Sequence, residues 1–241
     1  MKKKIIIVIP AFNEEEILEK NILDLYFFLQ KKMKRYNWKV IISDNASSDK
    51  TLKIAKNLAH HYPKIGVVHR EERPMSSAIK KSWEEYEADI YSYMDADLSA
   101  DIHQFPLLIK AIEEGYDISI GSRTSRKSKT SRSFKRNILS LGLIFITKRL
   151  FNSTIEDFQC GFKAINRKTR DEIIPKMKHT KVGFMSTELI LVASKKGYKI
   201  KEIPINWKDT RKSKNSILRG IIDALINLFI IKKDLRLGRY N

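Results

Sequence analysis

The apolar positions of this chain change period along its length, and those changes predict its elements. Residues 4–10 are a β-branched run without alternation, the pattern of a strand buried on both faces. Ile17, Leu18, Ile22, Leu25, Phe28 and Leu29 then recur at helical spacing. Asn13, followed by three acids, reads as the N-cap of that helix. Strands follow at 39–44 and 65–69, a central strand entered at 88–92, and another at 117–121. Helices at 51–60, about 76–87 and about 105–114 separate them. Strands alternating with helices predict a mainly parallel, doubly wound α/β sheet.

Past Gly121 the pattern breaks. Residues 123–136 hold seven basic residues, four serines, two threonines and no acid, a composition that predicts a mobile loop. A wide apolar helix is expected at 138–151, a strand near 199–205, and a closing helix from Ile217. In 217–231, Arg219, Asp223 and Asn227 recur every four positions, a narrow polar stripe on an otherwise apolar helix closed by Lys232 and Lys233. Fifteen helical residues span only ~22 Å, short of a bilayer core. Both helices adjoin basic clusters, so they are expected to lie in an anionic membrane interface rather than to cross it. The expected division is a catalytic domain over 1–215 and an amphipathic helix with a basic tail over 216–241.

Composition narrows the partners. The net charge of +19 asks for an anionic one. Nucleic acid ranks low, because the basic residues sit among Ser and Thr without interleaved aromatics. A lone cysteine, Cys160, excludes an internal disulfide and fits a reducing compartment. The apolar run at 5–9 is too short for a signal peptide, and no stretch reaches the ~18 apolar residues of a span. A peripheral protein on the cytoplasmic side of a membrane is expected.

The candidate chemistry gathers at strand ends. Asp95 and Asp97 close the central strand, and in an extended chain residues i and i+2 point the same way. Two hard oxygen ligands past a strand's carboxyl end suit Mg²⁺ or Mn²⁺ still carrying water and phosphate oxygens. Asn13, Glu14 and Asp44 stand at neighbouring strand ends, where Asp44 could accept from a nucleobase or ribose or simply cap a turn. The glycine-rich dinucleotide fingerprint and the phosphate-binding P-loop are both missing, and no histidine spacing suits zinc.

The motifs then carry a resemblance. Residues 8–15 (Val-Ile-Pro-Ala-Phe-Asn-Glu-Glu), 43–51 (Ser-Asp-Asn-Ala-Ser-Ser-Asp-Lys-Thr), Asp95-Ala96-Asp97, Gly121-Ser122-Arg123 and 157–163 (Asp-Phe-Gln-Cys-Gly-Phe-Lys) stand in the order of glycosyltransferase family 2. With Glu188-Leu189 and Glu202-Ile203-Pro204-Ile205, the chain most resembles the polyprenyl-phosphate (dolichyl-phosphate) glucosyltransferase and mannosyltransferase branch. The resemblance implies a GT-A fold and an inverting, metal-dependent transfer of one sugar from a nucleotide diphosphate sugar to a polyprenyl or dolichyl phosphate. It favours UDP-glucose, with GDP-mannose next. It assigns the donor to Pro10, Phe12, Asn13, Glu14, Asp44, Asn45, Asp95, Ala96, Asp97, Arg211 and Lys214, the metal to Asp95 and Asp97, and the acceptor phosphate to Arg123, Arg136 and Ser140. The chain departs from the family at Asn45, usually a second Asp, at 72–77, usually with Gly-Lys-Gly, and at Ser99, often Gln in the mannosyl branch. A lipid phosphate is already ionised near pH 7 and needs no base. A hydroxyl acceptor would need one. Asp157 is the candidate for that role, and equally a turn cap before Gly161.

Overall fold

The computed structural model describes residues 1–71, 75–131, 134–177, 184–208 and 217–240. Strands β1 (Lys4–Ala11), β2 (Asn37–Asn45), β3 (Ile65–Arg70), β4 (Ile90–Met94), β5 (Ile118–Ser122), β7 (Phe162–Asn166) and β8 (Ile200–Pro204) form one sheet, ordered β3-β2-β1-β4-β7-β5-β8. β7 runs antiparallel to both neighbours, β4 and β5, and the other pairings are parallel. Helices α1 (Leu18–Lys32), α2 (Thr51–His61), α3 (Met75–Glu85) and α4 (Phe105–Glu113) connect the first five strands, and α6 (Arg167–Glu172) and α7 (Met185–Lys195) connect β7 to β8.

β1 explains why its residues alternate nowhere. Ile5, Ile7 and Ile9 enter one core with Leu18, Ile22 and Leu25 of α1. Ile6 and Val8 enter the other, with Ile79, Trp83 and the aliphatic face of α7. A strand covered on both sides has no polar face to show.

The basic stretch is more ordered than its composition predicts. β6 (Lys129–Ser131) pairs in parallel with β9 (Asn206–Lys208), and helix α5 (Phe134–Phe151) starts four residues before the expected 138. Helix α8 (Ile217–Arg236) packs against α5. Of its polar residues, Asp223 is exposed, whereas Asn227 is buried and donates from Nδ2 to the carbonyl of Asp223 at 2.7 Å. Ala224, Leu228 and Ile231 face the core, while Ile222, Ile226, Phe229 and Ile230 stay exposed. Tyr240 is buried, and its hydroxyl donates to Glu188 Oε1 at 2.8 Å. Among the described residues no helix is long and apolar enough to cross a membrane.

Candidate active site

The strand order reverses direction between β1 and β4, with β2 and β3 following on one side only. Crevices for ligands open at such a switch point, beyond the carboxyl ends of the strands. The segments after β1, β2 and β4 meet there.

After β1 the chain does not enter a helix at once, and Asn13 is not its N-cap. Asn13 adopts a left-handed φ of 53°. Its side chain instead holds the loop after β2: Oδ1 accepts from the Ser48 amide at 2.9 Å, and Nδ2 lies 3.2 Å from Ser48 Oγ. Glu14 donates its amide to Thr51 Oγ1, and Glu15 accepts from the Lys50 amide at 3.0 Å. These bonds fasten the two loops, so that Pro10, Phe12, Asn13 and Glu14 sit beside Asp44 and Asn45. In the sheet Pro10 pairs with Ser43, and Ala11 with Asp44. Asp44 is fully buried; its Oδ2 lies 2.7 Å from His69 Nδ1, while its Oδ1, like Asn45 Oδ1, finds no partner among the described residues. His69 was not singled out from the sequence, because only the register of β2 with β3 brings it opposite Asp44.

The acids after β4 sit in a turn rather than on an extended strand. Leu98 donates its amide to the Asp95 carbonyl at 3.1 Å and takes φ of 48°. Asp97 Oδ1 accepts from the Ser99 amide at 3.0 Å, and Asn21 of α1 donates to the Ala96 carbonyl at 2.9 Å. Asp95 and Asp97 are both half-buried, with Ala96 buried between them. Among the described residues no group of three His, Cys, Asp or Glu forms a closed cage. Two carboxylates with the remaining positions left open match Mg²⁺ or Mn²⁺, which keep water and bind substrate phosphates.

On the other side of this turn lie Arg123 and Asp157. The Arg123 side chain is only 9% exposed. Its Nε donates to Asp157 Oδ2 at 2.7 Å and its Nη2 to Oδ1 at 2.8 Å, a bidentate fork. The backbone amides of Arg123, Gln159 and Cys160 also donate to Asp157. Burial raises the Asp157 pKa, but the Arg123 charge and hydrogen bonds outweigh it and leave the carboxyl below its ordinary value. Burial likewise opposes charge on Arg123, and Asp157 reverses that, so the guanidinium stays ionised. Trp207 lies beneath the Arg123 guanidinium at 5.0 Å. The Trp207 segment is itself clamped to the acid turn, with Lys208 donating to the Ser99 carbonyl at 2.9 Å. Beside it an open groove of about 520 Å³ is lined by Ser99, Asp101, Lys129, Trp207 and Lys208.

Burial pushes the Lys163 pKa down to about 8, and that of Cys160 up to about 12. Ser140 is half-buried and lines a narrow cleft with Asp157, Gln159 and Thr187. The Arg136 side chain, residues 72–77 in whole or in side chain, and Arg211 and Lys214 lie outside the described residues.

A family model described as Glycosyl transferase family 2 matches residues 6–174. Over 235 residues the chain is 29% identical to a dolichol-phosphate mannosyltransferase of Pyrococcus furiosus, covering 95% of this chain and 64% of that protein. It is 28% identical over 254 residues to a dolichyl-phosphate beta-glucosyltransferase of Saccharomyces cerevisiae, covering 97% and 75%. It spans 35% of the glycosyltransferase AglD of Haloferax volcanii, at 26% identity over 90% of this chain. In fold it is similar to glucosyl-3-phosphoglycerate synthase of Mycobacterium tuberculosis, solved with Mn²⁺, UDP-glucose and glycerol 3-phosphate. The TM-score is 0.67 at 18% identity, covering 94% of this chain and 80% of that one. The sheet is therefore that of a GT-A fold, and the chain belongs to glycosyl transferase family 2.

Proposed function

We propose that this protein transfers a single sugar from a nucleoside diphosphate sugar to a polyprenyl phosphate, with glucose favoured over mannose and inversion at the anomeric carbon. The observation that carries the reading is the pairing of an open two-carboxylate turn with a buried, permanently charged arginine across one crevice. The first suits a departing diphosphate and the second an incoming phosphate. The dolichyl-phosphate enzymes among its relatives support that acceptor class.

Asp95 and Asp97 would hold Mg²⁺ or Mn²⁺, which when bound neutralises the leaving nucleoside diphosphate. Pro10, Phe12, Asn13, Glu14, Asp44 and Asn45 take the nucleoside, and the role assigned to Arg211 and Lys214 is to bind the diphosphate. The buried Oδ1 of Asp44, without a partner among the described residues, provides an acceptor that a nucleoside N–H or O–H would satisfy. Arg123, with Arg136 and Ser140, takes the acceptor phosphate. A phosphate oxygen attacks the anomeric carbon, the bond to the β-phosphate oxygen breaks, and the nucleoside diphosphate leaves with that electron pair.

No proton has to be removed from the acceptor, since a phosphate monoester has its second pKa near ~6. This agrees with the state of Asp157. A carboxylate taking five N–H donors, with its pKa depressed, is a poor general base and a good clamp for Arg123. The hydroxyl-acceptor reading thereby loses Asp157 as its base.

The reaction takes place with the protein docked on the cytoplasmic face of a membrane. Leu141, Phe145 and Ile146 of α5 and Ile222, Ile226, Phe229 and Ile230 of α8 expose apolar surface on two packed helices, in a chain of net charge +19. The test is incubation with labelled UDP-glucose or GDP-mannose, Mn²⁺ and dolichyl phosphate. Label from UDP-glucose passing into organic solvent is expected. Label appearing only on a soluble glycan acceptor would overturn the reading.

A further inference from the structure

We infer that Gly161 is the positioning residue for the Asp95 carboxylate, and that its lack of a side chain is needed to seat that metal ligand rather than to let the chain turn. The inference rests on the metal reading above.

Three observations carry it. A Cβ built on Gly161 falls onto the Asp95 carboxylate, meeting Oδ2, Oδ1 and Cγ far inside the ordinary contact range of 3.4–4 Å. The backbone of Gly161 does not ask for glycine: its φ is not positive, in contrast to Gly115 at 92° and Gly197 at 77°, which have open space where a Cβ would go. The third is the register. Met94 faces Phe162 in the antiparallel β4–β7 pair, so one step further along, Asp95 comes beside Gly161.

The consequence follows from which atoms would clash. An added methyl meets the carboxylate of a side chain, not packed backbone, so the chain can still fold by turning Asp95 aside. Gly121 is different, since a Cβ there meets Ile205 and Phe162 in the core. The same short turn also hands its Gln159 and Cys160 amides to Asp157, which grips Arg123. One loop therefore seats a donor-side ligand with its glycine and the acceptor-side cation with its amides.

The experiment is a double-mutant cycle on the full chain: parent, Gly161→Ala, Asp95→Ala and both together. Calorimetry measures the affinity for UDP and for GDP with Mn²⁺ and with EDTA, and thermal unfolding is followed in parallel. Gly161→Ala is expected to keep its nucleotide affinity in EDTA and to lose about 10–100-fold of the Mn²⁺-dependent gain, the size typical of outer-shell changes. In the Asp95→Ala background it should cost nothing further, in gain or in melting temperature. Retention of the full gain by Gly161→Ala, when Asp95→Ala has lost it, overturns this inference alone. So does a Gly161→Ala change that unfolds the chain in both backgrounds, because the glycine would then serve the backbone. An Asp95→Ala protein that keeps the gain overturns the metal reading, and this inference with it.

Discussion

Replacing Asp157 by Asn removes the countercharge of a buried arginine while keeping its shape. Breaking a buried ion pair typically costs about 3–5 kcal/mol, most of it the penalty on the charge left behind. Urea denaturation of Asp157→Asn is expected to show a loss of that order, together with weaker acceptor binding. An unchanged midpoint would contradict the pairing. The pH dependence has a definite sign. The folded-state pKa of Asp157 lies below its ordinary value, so its contribution is present above about pH 4 and is lost as pH falls further. Lys163 acts with the same sign at higher pH, its pKa lowered by burial to about 8. Between about pH 8 and 10.4 the unfolded chain holds more protons at this site, so stability rises with pH there. Lys163→Met should abolish that rise, read as the parent-minus-variant difference in denaturant midpoint from pH 7 to 10. The positions of Asp95, Asp97 and Asp44 at neighbouring strand ends were legible in the sequence because the strand–helix alternation sets those ends on one edge. Asn21, His69 and the clearance at Gly161 were not, since each acts through a partner that only tertiary register supplies.

At the scale of elements, the alternating strands and helices were readable because buried parallel strands are apolar without interruption. β7 escaped notice. It is a short strand inserted antiparallel between β4 and β5, and nothing in Phe162–Asn166 distinguishes that from a loop segment. β6 was hidden for a related reason: the three residues Lys129–Ser131 are exposed and polar, and they pair only because β9 comes alongside. In α8 the polar positions are legible but their burial is not: Asn227 satisfies itself on the helix backbone and can be buried, while Asp223 stays exposed. The outward face of α8 carries Ile222, Ile226, Phe229 and Ile230. Phe145 and Phe229 are 70% and 62% exposed, so changing both to Ser should shift stability by no more than about 0.5 kcal/mol each. The same double variant should lose sedimentation with anionic vesicles. If vesicle binding persists unchanged, these helices are not the contact surface.

For the whole molecule, fold and site follow from one arrangement. The switch between β1 and β4 opens a crevice, and three loops from neighbouring strand ends fill its rim. The large positive charge favours two anionic substrates and an anionic surface, which a small set of site residues then distinguishes. The central claim is that Asp95 and Asp97 grip a divalent cation that takes charge from the leaving nucleotide during transfer to a lipid phosphate. Its most direct test is the rate at which label moves from nucleotide sugar to dolichyl phosphate, in excess Mn²⁺, for the parent and for Asp95→Asn/Asp97→Asn. A fall of about 10²-fold or more, with folding unchanged, is predicted. Transfer at the parental rate by the doubly changed protein would contradict the account.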